Sequence, residues 1–165
     1  MRISKNFTLH ELTRSNTALR LGIDNTPTKD GIHKLTIIAN SLLQPIRNEL
    51  GPLRITSGYR SPELNTAIGG SANSQHCRYE AIDCQFSKDG TMDNIKIYEA
   101  IGNLCLDFDQ LILEFGDATE TIDPQHPSWI HISYKIADNR KEVLVAYKNK
   151  EGKTKYRKPI KYDMI

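Results

Sequence analysis

The segment from residue 54 to residue 86, RITSGYRSPELNTAIGGSANSQHCRYEAIDCQF, constrains the fold of this chain more than any other. It holds four chemically active side chains, which are Arg60, Ser74, His76 and Asp83, with glycines and a polar loop between them. Loops of this composition reverse the chain, so that side chains distant in sequence can face one another. The spacing of His76 and Asp83, across a loop and into a strand, permits them to converge without requiring it.

A second segment, HPSWIHISY at residues 126–134, alternates in the way a half-buried strand does. It contributes two more histidines, His126 and His131. Two histidines and one aspartate from separate segments form a ligand set that suits zinc, and three protein ligands leave a fourth position for water. The pattern indicates a catalytic zinc site, although each histidine taken alone is more typical of an ordinary structural position.

Length and composition are those of a single-domain globular protein. The chain has 165 residues, of which 38% are apolar and 25% charged, and this is enough for one hydrophobic core. Its net charge of +2 favours no particular partner. We therefore expect no nucleic acid partner, and we favour a monomer. No segment approaches the roughly 18 apolar residues that a membrane span needs.

The N-terminal residues and the cysteines indicate the compartment in which the protein is made. The N-terminal MRISKNFTLHEL lacks a charged region followed by an apolar run, so we expect no secretory signal and a protein made in the cytoplasm. The three cysteines Cys77, Cys84 and Cys105 are odd in number and lack CxxC spacing. This fits a reducing compartment, and we expect Cys77 and Cys84 to pack rather than to bind metal.

The end of the chain is basic. Residues 138–165 carry nine lysines and arginines against four acidic residues, a net charge of +5, whereas the remainder has a net charge of −3. A basic tail can bind polyanions such as nucleic acid, lipid head groups or wall polymers. An edge hairpin kept soluble by its lysines explains the same charge. We divide the chain into residues 1–137 and a basic tail, residues 138–165, which we expect to belong to the same domain.

The hydrophobic periodicity predicts helices and strands in mixed order. A capping box at Thr8 and Glu11 predicts a short helix, and Ser61-Pro62 begins another. Longer helices are predicted over residues 28–50 and 91–106. The predicted strands cover residues 53–57, 81–86, 109–115 and 129–134, with a hairpin at 142–148 and 153–158. We therefore predict one α+β domain with an antiparallel sheet and packed helices. Asp83 should lie on the sheet face opposite Cys84.

Taken together, the motifs SGYRSPELN, SQH, AID and WIHIS resemble the M15 peptidases, and in particular their zinc D-alanyl-D-alanine carboxypeptidase-like branch. The resemblance covers roughly residues 5–136. The family pattern is S-x-H-x-x-G-x-A-x-D followed by W-x-H, and the matching residues are Ser74, His76, Ala81, Asp83, Trp129 and His131. At the level of the fold, the chain also resembles the zinc-binding hedgehog signalling domain.

By position, the resemblance implies that a zinc ion is held by His76, Asp83 and His131. Arg60 would polarise the scissile carbonyl or stabilise the oxyanion, as a fixed guanidinium can. Ser74 would contact the substrate peptide. Residues 1–137 would then form an M15-like zinc peptidase domain.

The resemblance is less direct for proton transfer. Many relatives place an acidic general base three residues before the last ligand, and Ser128 at that position cannot take the role. The carboxypeptidase-like branch has a histidine five residues before that ligand, and the match of His126 implies that it transfers the proton. Glu114 is a weaker candidate for the base. The family glycine three residues after the first ligand is replaced by Tyr79. If that position is left-handed, a tyrosine costs about 1 kcal/mol or more there.

The function implied is that of a zinc-dependent peptidase that hydrolyses a peptide bond in the stem peptide of bacterial peptidoglycan. Removal of a terminal D-alanine and cleavage of a cross-bridge both fit. A wall substrate without a secretory signal fits a phage or prophage lysis enzyme that acts on the wall after release, or a wall-remodelling enzyme. Two alternatives stay open, namely a catalytically silent zinc-binding module, which Tyr79 and Ser128 favour, and a phage structural component.

Overall fold

The computed structural model describes residues 1–162, and its strands form one seven-stranded sheet. The strands are β1 (Leu53–Ser57), β2 (Ala81–Lys88), β3 (Thr91–Met92), β4 (Gln110–Glu114), β5 (Trp129–Ser133), β6 (Glu142–Lys148) and β7 (Thr154–Arg157). Their order is β1-β2-β5-β4-β6-β7, and β3 pairs with β2. All pairs are antiparallel except β4 with β6. The predicted antiparallel sheet is thus mixed at this pair, because the chain crosses from β5 to the far side of β4 before β6 begins.

Helices precede and interrupt the strands, which gives the α+β fold predicted from the sequence. The α-helices are α1 (Leu9–Thr13), α2 (Asn16–Leu21), α3 (Lys29–Ile38), α4 (Gln44–Leu50), α5 (Pro62–Ala67) and α6 (Ile95–Asn103). The predicted capping box is formed, since the Thr8 and Glu11 side chains each accept the other's backbone N–H. Among residues 1–162, no helix is long and apolar enough to cross a membrane.

The long helix predicted over residues 28–50 is helical throughout but changes its winding in the middle. A π-helical segment, Ala39–Leu43, joins α3 to α4. Pro45 has no N–H to donate to the carbonyl of Ser41, and its ring would collide with that carbonyl in a regular α-helix. A wider turn before the proline avoids this conflict. The helix ends at Gly51, as predicted, with a φ of 103° that suits glycine.

The helix predicted to begin at Thr91 begins instead at Ile95, because Thr91 and Met92 form β3 against the end of β2. The turn between these two strands has positive φ at both central residues, 50° at Asp89 and 80° at Gly90. Such a turn matches the twist of a hairpin. The Asp-Gly dipeptide was the signal for this turn that the sequence analysis overlooked.

The two faces of the sheet have different surroundings. Ile82, Cys84 and Phe86 belong to the hydrophobic core, together with apolar residues of α3, α4 and α6. As predicted, Asp83 lies on the other face, which the helices leave uncovered and which lines a cleft. The alternation of β2 therefore separates the packing side chains from those available for chemistry.

Candidate metal centre

Three side-chain atoms converge at the floor of this cleft. His76 Nε2 lies 3.3 Å from both Asp83 Oδ1 and His131 Nδ1, and the latter two atoms are 2.9 Å apart. All three residues are buried, and they form a group that could hold a metal ion. Tetrahedral zinc ligands at about 2.0–2.1 Å from the ion lie about 3.3 Å from one another. The triangle therefore has close to the size that zinc requires.

The position of His76 is fixed from outside the triangle. His76 lies in a short 3₁₀ turn, Gln75–Arg78, and its Nδ1 is 2.8 Å from the carbonyl oxygen of Gly58. A carbonyl only accepts, so Nδ1 carries a proton, and Nε2 is the atom that would bind a metal. Gly58 must be glycine because a Cβ there would overlap the carbonyl of Leu12. A contact outside the triangle thus holds Nε2 of His76 at its corner of the triangle.

Strand register aligns the other two residues. Asp83 in β2 is directly opposite His131 in β5. The second oxygen of Asp83, Oδ2, accepts a hydrogen bond of 2.9 Å from Nη2 of Arg60. Burial alone would raise the pKa of Asp83, but the imidazoles of His76 and His131 hold it below its usual range. Asp83 is therefore ionised and presents one oxygen to the metal position, as a zinc ligand must.

A buried ion cluster anchors the turn that carries His76. Gln75 Nε2 donates to Asp109 Oδ2 at 2.9 Å. Asp109 also pairs with Lys135 at 3.0 Å and with Arg140 at 2.7 Å, and its side chain is 1% exposed. Burial opposes ionisation, but these donors hold the pKa of Asp109 below its usual range. This role of Asp109 could not be predicted from the sequence, because nothing near Asp109 in the chain distinguishes it from a strand-end residue.

The cleft around the triangle has a volume of about 810 Å³. It includes Arg60 and Ser74, both placed at the site by the sequence analysis. One wall comes from the basic tail, whose cleft-lining residues are Arg140, Leu144, Thr154 and Tyr156. The tail therefore borders the cleft, although the resemblance stopped before it.

Glu114 lies in the same cleft as the triangle. It is in β4 opposite Trp129, two residues along from Ile112, which is opposite His131. Such diagonal neighbours on one sheet face are about 7–8 Å apart, within reach of a glutamate side chain. The residue is 8% exposed. Burial, and to a lesser degree the charge of Asp83, raises the pKa of Glu114 to about 7 in spite of His131 and Arg60.

His126 is not brought to the triangle. It is exposed, on the loop between β4 and β5, and it is not among the residues that line the cleft. Its backbone N–H donates to Asp117, while its carbonyl packs so closely on Gly116 that a Cβ there would overlap it. The backbone of His126 thus holds the loop. Ser128 accepts the N–H of Gly116 through its hydroxyl.

Tyr79 occupies the left-handed conformation that the family glycine suggested, with a φ of 63°. Its ring stacks on that of Tyr59 at 4.0 Å between centroids, and its hydroxyl accepts the N–H of Thr28. Its ring also lies against Gly31, where a Cβ would overlap it. These contacts offset the backbone strain, so the loop reaches His76 with the geometry expected for glycine.

Comparison with known families agrees with this geometry. The sequence profile described as peptidase M15 matches residues 5–103, more than half of the chain. The match includes β1 and β2 and the residues Arg60, His76 and Asp83. No curated protein matches the chain. The extent of the profile match shows that this chain belongs to the peptidase M15 family.

Proposed function

We propose that this protein is a zinc-dependent peptidase that hydrolyses a peptide bond in the stem peptide of bacterial peptidoglycan. The observation that carries the proposal is the convergence of His76, Asp83 and His131 in a cleft that also holds Glu114. The donor types and the size of the triangle fit zinc. When bound, zinc would polarise the substrate carbonyl and acidify a water molecule.

We assign proton transfer to Glu114 rather than to His126. Glu114 lies in the cleft, and burial raises its pKa to about 7 in the metal-free protein, so it is placed to accept a proton from the attacking water and return it to the leaving amine. His126 is exposed outside the cleft lining. The silent-module alternative drew on Ser128 and Tyr79, but Glu114 supplies an acid that does not depend on Ser128, and Tyr79 adopts the conformation of the family glycine.

Arg60 is placed to stabilise negative charge on the substrate. Its Nη2 bonds Asp83, and its Nε donates to Ser57 Oγ at 2.9 Å. Within residues 1–162 its Nη1 has no hydrogen-bond partner, so one edge of a fixed guanidinium remains for a carbonyl or carboxylate. Ser74 lines the same cleft and is placed to contact the peptide backbone.

The basic charge of the tail favours binding to a polyanion while the enzyme acts. Four of the tail's seven lysines, Lys148, Lys150, Lys153 and Lys155, lie on β6, β7 or the turn between them, and these strands border the cleft. We propose that they retain the enzyme on an anionic cell wall, as in phage-type lysis or wall remodelling. If a variant with these lysines changed to glutamine bound isolated walls as wild type does, this role would be excluded.

The test is mass spectrometry of the soluble fragments released from purified sacculi by the zinc-loaded protein, with a chelated sample as control. New stem-peptide fragments that need the metal are expected, and their masses identify the bond as terminal or cross-bridging. No fragments from several wall chemistries, with zinc shown to be bound, would instead support a silent zinc-binding module.

A further inference from the structure

A second groove runs beside the metal cleft along the outer edge of the sheet. Its volume is about 560 Å³, within the usual range for ligand sites. It lies between β1, the start of α2 and the end of α5, and it shares Arg60 and Ile68 with the metal cleft. A ligand at the metal position can therefore continue past Arg60 into this groove.

The charged residues that line the groove are all basic. It is lined by Arg14, Arg54 and Arg60, and among the described residues that line it there is no aspartate or glutamate. Arg60 is paired with Asp83, but Arg14 and Arg54 form no ion pair within residues 1–162. Both are exposed. Two unpaired guanidinium groups facing one groove favour an anion, and a planar carboxylate is one that a guanidinium binds through two hydrogen bonds.

The strand that forms one wall suits an extended ligand. β1 is the end strand of the sheet and pairs only with β2 among the described strands. Its successive residues Ile55, Thr56 and Ser57 all line the groove, so the edge of the strand faces it as well as its side chains. Free strand edges bind extended peptides through main-chain hydrogen bonds.

We infer that this groove binds a carboxylate-bearing arm of the peptide substrate, with Arg14 and Arg54 as residues that determine specificity. The inference rests on the proposed function, since it describes where the peptide extends from the cleaved bond. It adds that the enzyme distinguishes a free carboxylate in that arm from the corresponding amide, which neither the zinc triangle nor Glu114 can do.

The test compares two synthetic stem pentapeptides that differ only in whether the glutamyl residue carries a free carboxylate or an amide. The proteins are wild type, the double variant Arg14→Gln/Arg54→Gln, and Arg20→Gln as a matched control. Arg20 is an exposed arginine of α2 that does not line the groove. Cleavage is measured as kcat/KM. Affinity is measured by calorimetry on zinc-loaded proteins that also carry Glu114→Gln. If wild type cleaves neither peptide, affinity is measured on the proteins without Glu114→Gln as well.

Wild type and Arg20→Gln are expected to prefer the free carboxylate about 10-fold, as one charge-assisted contact provides, and the double variant is expected to bind both peptides equally. Equal treatment of the two peptides by wild type, or a preference that survives in the double variant, overturns the inference. Carboxylate-selective binding that depends on the two arginines but occurs without cleavage supports the groove and refutes the proposed function. Cleavage of both peptides without preference supports the proposed function and refutes the inference about the groove.

Discussion

Each of the two ends of the cleft buries one carboxylate, and the pKa values of these two carboxylates are shifted in opposite directions. At the β2–β5 end, Asp83 is surrounded by two imidazoles and a guanidinium, and although burial alone would raise its pKa, the imidazoles hold it below its usual range. At the β4 end, Glu114 forms no ion pair within residues 1–162, and burial raises its pKa to about 7. Both residues are less than 10% exposed, so burial alone does not separate them. Partners make one carboxylate a permanent anion, and their scarcity makes the other a group that exchanges protons near neutral pH.

The strongest way to break this comparison is to remove one of the three proposed metal ligands. His76→Ala is expected to lower zinc affinity by more than about 100-fold, because even outer partners of zinc ligands contribute about 10–100-fold, and to abolish hydrolysis. Zinc content is measured by elemental analysis after dialysis against a chelator. His126→Ala serves as the matched control and should keep its zinc. Full zinc occupancy in His76→Ala would exclude His76 as a ligand.

A substitution of Glu114, at the β4 end of the cleft, should separate zinc binding from catalysis. Glu114→Gln is expected to lower kcat by about 10²- to 10⁴-fold, the usual contribution of general acid–base catalysis, while zinc affinity stays within a few-fold of wild type. His126→Ala should retain most of its activity. The measurement is kcat against pH, in which the acidic limb of wild type should be absent from Glu114→Gln. A large loss in His126→Ala with none in Glu114→Gln would reverse the two assignments.

The buried ion cluster around Asp109, which anchors the turn that carries His76, can be tested through its contribution to stability. Asp109→Asn should lower the free energy of unfolding at pH 7 by about 1–3 kcal/mol, since it disrupts a buried charged network. The folded pKa of Asp109 is depressed, so its stabilisation is complete above the unfolded value of about 4 and declines as pH falls through the folded value. Denaturant unfolding at pH 7 and at pH 3 measures both. A difference between the two proteins that is as large at pH 3 would argue against an electrostatic origin.

The same comparison predicts a gain of stability at the β4 end. In the zinc-free protein the folded pKa of Glu114, about 7, is above its ordinary value of 4.5, so ionisation destabilises the fold as pH rises through this window. Glu114→Gln should therefore increase the free energy of unfolding by about 3 kcal/mol at pH 8 and by less than about 1 kcal/mol at pH 5. Thermal or denaturant unfolding at the two pH values checks this. Equal effects at both would show that ionisation is not the cause.

The smallest effect is expected at Tyr79. Tyr79→Gly removes about 1 kcal/mol of left-handed strain but loses the stacking on Tyr59 and the contact with Thr28, so a net loss of about 1 kcal/mol is expected. Zinc affinity should change little. Tyr79→Phe keeps the stacked ring and should fall between the two proteins. A glycine variant more stable than wild type would show that strain outweighs packing.

Much of the framework follows from local patterns. The strands β2 and β5 and the capping box at Thr8 and Glu11 follow from local features, and the structure contains them as predicted, although β5 is buried on both faces rather than half-buried. The π segment at Ala39–Leu43 and the parallel pairing of β4 with β6 were not predicted. The first follows from how one proline affects a long helix, and the second depends on where a distant hairpin joins the sheet.

The sequence by itself determined which residue types were present for metal chemistry and on which face of each strand they would lie, because side-chain direction in a strand follows from a period of two. Tertiary structure decided which groups meet and in what state of protonation. It brings His131 rather than His126 to Asp83, adds a wall from the basic tail, and raises the pKa of Glu114. These outcomes depend on burial and on charges from distant strands, and no local pattern in the chain records them.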